Sequence, residues 1–358
     1  MDSRRSIRAL CCALAIAALL AGCGSSDSST SSKQAAVSRP APPKGAFPSA
    51  NGKTLGEIVK SAEGHSELVV SPAALVFHKG ENRFPVGVFE SDRTQVDDAE
   101  IALYVAKVPK ATGKGSAASE GQSQKAPLAQ AQSQALEEPA LGPFPAAVES
   151  LATKPAYRAK TTATDPDAAR SVYTTEIDFP SDGEWRVAAL IKQGGETTAS
   201  LLPSAAVGEY EDVPQAGERA PLIHTPTPAD VGGDLAKITT RVPPDTQNSV
   251  DYAAVLGKEP IVLLFATPQF CQSRVCGPVV DVAEQVKHQY GDKAAFIHME
   301  IYNDNDPSKG VRPQVKAFHL PSEPWLFAID RHGTIQHVIQ GAFGVDLLTE
   351  VVRGLTKE

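Results

Sequence analysis

The chain has 358 residues, a length that favours two domains over one. Its hydrophobic residues, 42% of the total, suffice for a core, whereas 28 Pro and 27 Gly gathered in a few stretches mark segments that do not pack. A net charge of -8 leaves no basic face to neutralise phosphates, so nucleic acid is excluded as a partner, and five Cys exclude metal-finger and disulfide-rich scaffolds.

Residues 2–8 carry Arg4, Arg5 and Arg8, and residues 9–20 form an apolar run too short for an ordinary membrane-spanning helix, which is the pattern of an export signal. The run ends in Leu20-Ala21-Gly22-Cys23, which resembles the lipobox of bacterial lipoproteins. That resemblance implies removal of residues 1–22, lipidation of Cys23 and a chain held on the extracytoplasmic side of the cell membrane. Residues 3–8 (SRRSIR) are also similar to a twin-arginine export motif, so the export route stays open. Removing residues 1–22 takes out three Arg and one Asp and leaves 31 basic and 41 acidic residues. A mature chain that acidic gains little from anionic headgroups, so attachment would rest on the acyl chains of Cys23.

Residues 23–53 are rich in Ser, Pro, Ala and Gly without apolar periodicity and read as a flexible tether. Residues 54–212 read as a β-sandwich, somewhat immunoglobulin-like. Its expected strands are 68–70, 73–78, 84–90, 99–108, 171–179, 184–192 and 196–203, with a turn at Pro180-Ser181-Asp182-Gly183. A low-complexity insertion at about 109–150 interrupts the series. His65 and His78 stand apart from other ligand-type residues, and the sandwich reads as a binding or spacer module.

Residues 213–358 alternate strand and helix. Ile261 to Phe265 is a continuous apolar run, as a strand covered on both faces requires. Val279, Val282, Ala283 and Val286 form one stripe of a helix over 278–290. Strands follow at 294–301 and 325–330, a turn at Asp330-Arg331-His332-Gly333 leads into a strand at 334–339, and a helix closes the chain at about 345–356.

Cys11 and Cys12 leave with the signal and Cys23 is lipidated, so Cys271 and Cys276 remain, and two cysteines in an oxidising compartment pair. Gly277-Pro278 sets Cys276 near the amino end of the helix, where unsatisfied N–H groups stabilise a thiolate, and leaves Cys271 in the preceding loop. On this ground Cys276 is preferred as nucleophile with Cys271 as its resolving partner, and the reverse assignment stays open.

Residues 213–358 resemble the thioredoxin superfamily. Gly217-Glu218-Arg219-Ala220-Pro221 is like the entry segment of redoxins, and IVLLFATP is like the strand that delivers their active site. Ser322-Glu323-Pro324-Trp325 is similar to the segment bearing the family's cis-proline. The resemblance implies a cis Pro324 facing the cysteines, thiol–disulfide exchange on extracytoplasmic proteins, and no cofactor or metal. Four residues separate the cysteines where the usual motif has two, and IVLLF lacks the buried acid that some thioredoxins use as proton acceptor.

Residues 267–277 are also similar to the site of Q-type peroxiredoxins, in which Cys271 would attack peroxide, although Leu264 and Pro268 stand where that family has Pro and Thr. A copper-delivery protein of the same fold would need a histidine near Ser322, and His319 is displaced from there. A redox-inert binding module with a structural disulfide is the remaining alternative. His298, in mid-strand, reads as a packed or hydrogen-bonded residue. The lipid anchor is tested by Cys23→Ser or by globomycin, either of which is expected to shift the protein out of the membrane fraction or stall its processing.

Overall fold

The computed structural model describes residues 36–109, 131–271 and 273–357. The export signal, Cys23 and residues 110–130 lie outside them, and no helix among the described residues is long and apolar enough to cross a membrane.

The first nine strands are β1 (Gly64–His65), β2 (Val69–Pro72), β3 (Gly80–Phe89), β4 (Glu100–Lys107), β5 (Leu141–Pro145), β6 (Ala147–Ser150), β7 (Ser171–Phe179), β8 (Gly183–Gln193) and β9 (Glu196–Val207). They form two sheets, ordered β1-β9-β8-β4-β5 and β2-β3-β7-β6. Ile101, Leu103 and Val105 of β4 and Val187, Ala189 and Ile191 of β8 share one core with Val86 and Val88 of β3 and Tyr173 and Ile177 of β7, so the sheets pack face to face. The alternate residues Ala102, Tyr104 and Ala106 meet Leu55 and Ile58 of helix α1 (Leu55–Lys60). Both faces of β4 are therefore covered, which is why its sequence runs apolar rather than alternating. Helix α1 starts at a capping box, with the Glu57 N–H donating to Thr54 Oγ1 at 3.2 Å and the Thr54 N–H to Glu57 Oε2 at 2.8 Å.

Three expectations change here. Residues 36–53 are packed rather than a free tether. Phe47 is buried, Lys192 Nζ lies over its ring and donates to the Ala46 carbonyl, and Tyr104 Oη donates to the Pro48 carbonyl at 2.6 Å. One aromatic residue and a few carbonyls hold an irregular segment, and such anchors leave no periodic signal. The expected insertion likewise contains β5 and β6, each at a sheet edge, where Pro143 and Pro145 of β5 need donate no ladder hydrogen bond. Residues 73–78 form no strand; only Phe77 makes an isolated bridge, to Val207.

Between β6 and β7, residues 151–170 carry the short helix α2 (Lys160–Thr164), and after β9 comes α3 (Tyr252–Val255). Then follow β10 (Ile261–Phe265), α4 (Cys276–Tyr290), β11 (Ala295–Met299), α5 (Pro313–Ala317), β12 (Trp325–Ile329), β13 (Ile335–Gln340) and α6 (Val345–Leu355). The third sheet has the order β11-β10-β12-β13, with β11 parallel to β10, and β12 antiparallel to both β10 and β13. The expected series of strand, helix, strand, hairpin and helix is present. Val262 and Leu264 of β10 face α4 and α6, while Ile261, Leu263 and Phe265 face Tyr252, Val315 and Phe318.

The two halves meet closely. Leu151, Ala169 and Val172 of the N-terminal half join the core under α4 and α6. Arg83 pairs with Glu149 at 2.6 Å and donates to the Ala342 carbonyl at 2.8 Å. Gly341 has φ +78, and a Cβ there would stand 2.3 Å from the Ala73 carbonyl oxygen. Gly257, at φ +74, has nothing within 4 Å of such an atom. Gly257→Ala is expected to cost about 1–2 kcal/mol from backbone strain alone, and Gly341→Ala about 2–5 kcal/mol because the halves must also part. Urea unfolding of both variants separates the two contributions.

Candidate functional site

Cys276 is the first residue of α4, where Gly277-Pro278 completes the opening turn; Pro278 lacks the N–H that would be unpaired there anyway. Cys271 lies in the loop before it. The two are joined by a disulfide with Cα atoms 5.9 Å apart, inside the bridging range. Their surroundings differ. The Cys276 side chain is fully buried, whereas Cys271 is half-buried. The Cys276 N–H donates to Cys271 Sγ at 3.4 Å, and Ser273 Oγ lies 3.2 Å from the same sulfur. The amide at the positive end of α4 is thus aimed at Cys271.

Below the loop lies a buried polar layer. His298 of β11 is enclosed, with Nδ1 2.9 Å from Asp245 Oδ2 and Nε2 3.1 Å from the Ala266 carbonyl. A carbonyl and a carboxylate only accept, so both ring nitrogens carry protons and the ring is an imidazolium. Burial alone would depress the His298 pKa, but the charge of Asp245 and the hydrogen bond to it prevail and raise it to about 9. Burial would raise that of Asp245, and the same pairing, with hydrogen bonds from Thr239 and Gln247, holds it well below the usual carboxylate range. The Thr240 N–H donates to Glu300 Oε1 at 2.6 Å, and Thr240 Oγ1 accepts from the Gln269 N–H at 3.2 Å, which ties the layer to the cysteine loop. Arg241 pairs with Asp281 of α4 at 2.9 Å, both buried.

The Glu323-Pro324 peptide is cis, the geometry implied by the family resemblance, and Pro324 is buried at the start of β12. Burial pushes the Glu323 carboxyl up. Burial and the Glu323 charge raise the hydroxyl pKa of Tyr302, whose ring meets that of Phe270 edge-on at 6.3 Å. Phe270 adjoins Cys271, so this aromatic pair flanks the cysteine loop on the side of Glu323. Ser322 Oγ accepts from Gln340 Nε2 at 3.1 Å, and Gln340 Oε1 accepts from the Val76 N–H at 3.0 Å.

The loop is held from the N-terminal half as well. The Ala169 N–H donates to the Arg274 carbonyl at 3.0 Å, and Arg274 pairs with Asp167 at 3.0 Å. The Ala159 N–H donates to Asp281 Oδ2 at 3.0 Å.

His319 is exposed, and among the described residues no three His, Cys, Asp or Glu side chains are grouped to hold a metal ion. Residues 238–248 escaped sequence reasoning, since Thr239, Thr240, Arg241, Asp245, Gln247 and Asn248 look like a solvated loop yet are buried. Their one sequence signal is the pair of ionisable residues His298 and Glu300 in and beside an otherwise apolar strand, which need partners.

No family model and no curated protein matches the chain. Among solved structures it is similar to a candidate thiol:disulfide interchange protein DsbE from Chlorobium tepidum, at 14% identity and a TM-score of 0.28, over 39% of this chain and 97% of that one. A thioredoxin family thiol:disulfide interchange protein from Chlorobium tepidum TLS matches at 16% identity and 0.29, over 39% and 97%. A candidate protein disulfide isomerase from Bacteroides thetaiotaomicron matches at 17% and 0.25, over 40% and 91%.

The buried pair sets a pH window. The raised pKa of His298 stabilises the fold fully below the ordinary imidazole value of ~6.5, and that stabilisation is lost as the pH rises through about 9. The lowered pKa of Asp245 contributes above ~3.9 and its contribution is lost on acidification through that range and below. Asp245→Asn is expected to cost about 3–5 kcal/mol near pH ~6 and distinctly less near pH ~9.5, read by urea unfolding at the two pH values.

Proposed function

We propose that the chain is a thiol–disulfide oxidoreductase of thioredoxin type, anchored through Cys23 on the extracytoplasmic side of the membrane. Its N-terminal sandwich, which we take as immunoglobulin-like, supports the redox half. The observation that carries the reading is the asymmetry of the cysteines: Cys271 Sγ is half-buried and receives the first N–H of a 15-residue helix, while Cys276 is enclosed behind it. A sulfur so placed is accessible and has its thiolate stabilised, the two conditions for attack.

This ordering departs from the expectation that Cys276 attacks. In the reducing direction Cys271 thiolate attacks one sulfur of a client disulfide and expels the other as a thiolate. Cys276 then attacks Cys271 Sγ, which closes the protein disulfide and releases the second client sulfur. The client disulfide becomes two thiols and the protein dithiol becomes a disulfide; the reverse sequence oxidises a client. Pro324, at a buried cis peptide beside Glu323, would border the client chain, the role that the family resemblance gives it.

Cys276→Ser is expected to accumulate mixed disulfides through Cys271, and Cys271→Ser to accumulate few. In the reduced protein iodoacetamide is expected to label Cys271 well ahead of Cys276; the opposite order restores Cys276 as nucleophile. The reduction potential, read by glutathione titration with alkylation, is expected between about -120 and -270 mV; a value below about -300 mV marks a structural disulfide and a redox-inert binding module.

A further inference from the structure

A cleft of about 430 Å³ opens between the outer face of the β2-β3-β7 sheet and the cysteine loop. That volume lies in the range of pockets that hold small ligands or a few side chains, about 300–1,000 Å³. One wall is Ser273, Arg274 and Val275, three of the residues between the two cysteines. The floor carries Val69, 54% exposed on edge strand β2, the half-exposed Phe89 of β3, and Ser71 of β2. Gly87 lets the Phe89 ring lie flat, since a Cβ there would stand 2.6 Å from the ring. The proposed exchange chemistry leaves this surface unused.

We propose that the cleft binds an extended segment of the client polypeptide, seating an aliphatic or aromatic side chain beside the client cysteine under attack. This rests on the exchange reading above. Two observations select this occupant. The cleft shares its wall with the loop that carries Cys271, so a chain bonded to that sulfur can extend into the cleft. The floor offers the apolar Val69 and Phe89, and Glu90, Arg93 and Arg274 line the cleft around them, which suits an apolar side chain carried on a polar peptide backbone. From Cys271 to Val275 the chain can reach at most about 14 Å, so the seated residue lies within about four positions of the client cysteine.

The probes are two ten-residue peptides, each with one Cys as a mixed disulfide with thionitrobenzoate. One has Leu and Phe two to four positions on either side of the Cys, and the other has Ser and Gly there. Cys271 thiolate attacks the peptide sulfur and expels coloured thionitrobenzoate; Cys276 then displaces the peptide thiol and closes the protein disulfide. With the reduced full chain the apolar peptide is expected to react about tenfold faster than its polar twin, the scale of burying one aliphatic side chain.

Val69→Asp with Ser71→Glu is expected to bring that ratio near one while leaving the rate with free dithionitrobenzoate within about twofold of the parent. Ser71→Trp, which fills the cleft without adding charge, is expected to do the same. A ratio near one in the parent chain, or a ratio unchanged in both variants, overturns the proposal. If the reduced chain reacts with none of these disulfides, the exchange reading fails by itself. The cleft is then judged by fluorescence anisotropy of the apolar peptide with Ser in place of Cys: saturable binding weakened by Ser71→Trp supports it, and no binding overturns it.

Discussion

The cysteine loop is built on one buried charge pair. His298 sits in β11 with Asp245 on one ring nitrogen and the Ala266 carbonyl on the other, so the ring cannot tilt without breaking a charge-assisted contact. Ala266 is the first residue after β10, and its fixed carbonyl sets the direction in which the chain leaves the sheet. Three residues later the Gln269 N–H is bound by Thr240, whose own N–H is held by Glu300. A buried ion pair adds little net stability against an apolar replacement of the same shape, because both charges must first lose water. It does penalise every arrangement in which one partner is left alone, and it thereby favours a single loop position.

The N-terminal half holds the same loop from the other side. Asp167 and Ala169 grip Arg274, and Ala159 reaches Asp281 within the first turns of α4. Val76 binds Gln340, which in turn binds Ser322 beside the cis peptide. Both segments that flank the cysteines are thus fixed partly by residues far away in sequence. A spacer would touch neither, so the packing argues for a half that shapes the site.

The parts legible in the sequence were those with local causes. IVLLF reads as a doubly covered strand because every residue is apolar, and the stripe of Val279, Val282, Ala283 and Val286 reads as a helix because its spacing is helical. Gly277-Pro278 placed Cys276 at the helix start within one residue. Local pattern failed where partners were distant. Residues 238–248 look solvated until His298, Glu300 and Asp281 are brought to them, and Phe47 looks like part of a tether until Lys192 covers its ring. The prolines of β5 disguised an edge strand as low-complexity sequence.

In the proposed exchange, the order of attack at the cysteines turns on the direction of a helix dipole. Reasoning from sequence assigns the favourable amides to the cysteine at the helix end, Cys276. The N–H groups of the first turn point out of the helix, however, toward whatever stands before it. A residue at the first position presents its own amide to its predecessor in space, and here that is Cys271 Sγ at 3.4 Å. Burial acts in the same sense, because a charged sulfur is costlier in the enclosed Cys276 site than in the half-open Cys271 site. Both effects favour a thiolate on Cys271 and a neutral thiol on Cys276, the distribution that an attacking and a resolving sulfur require.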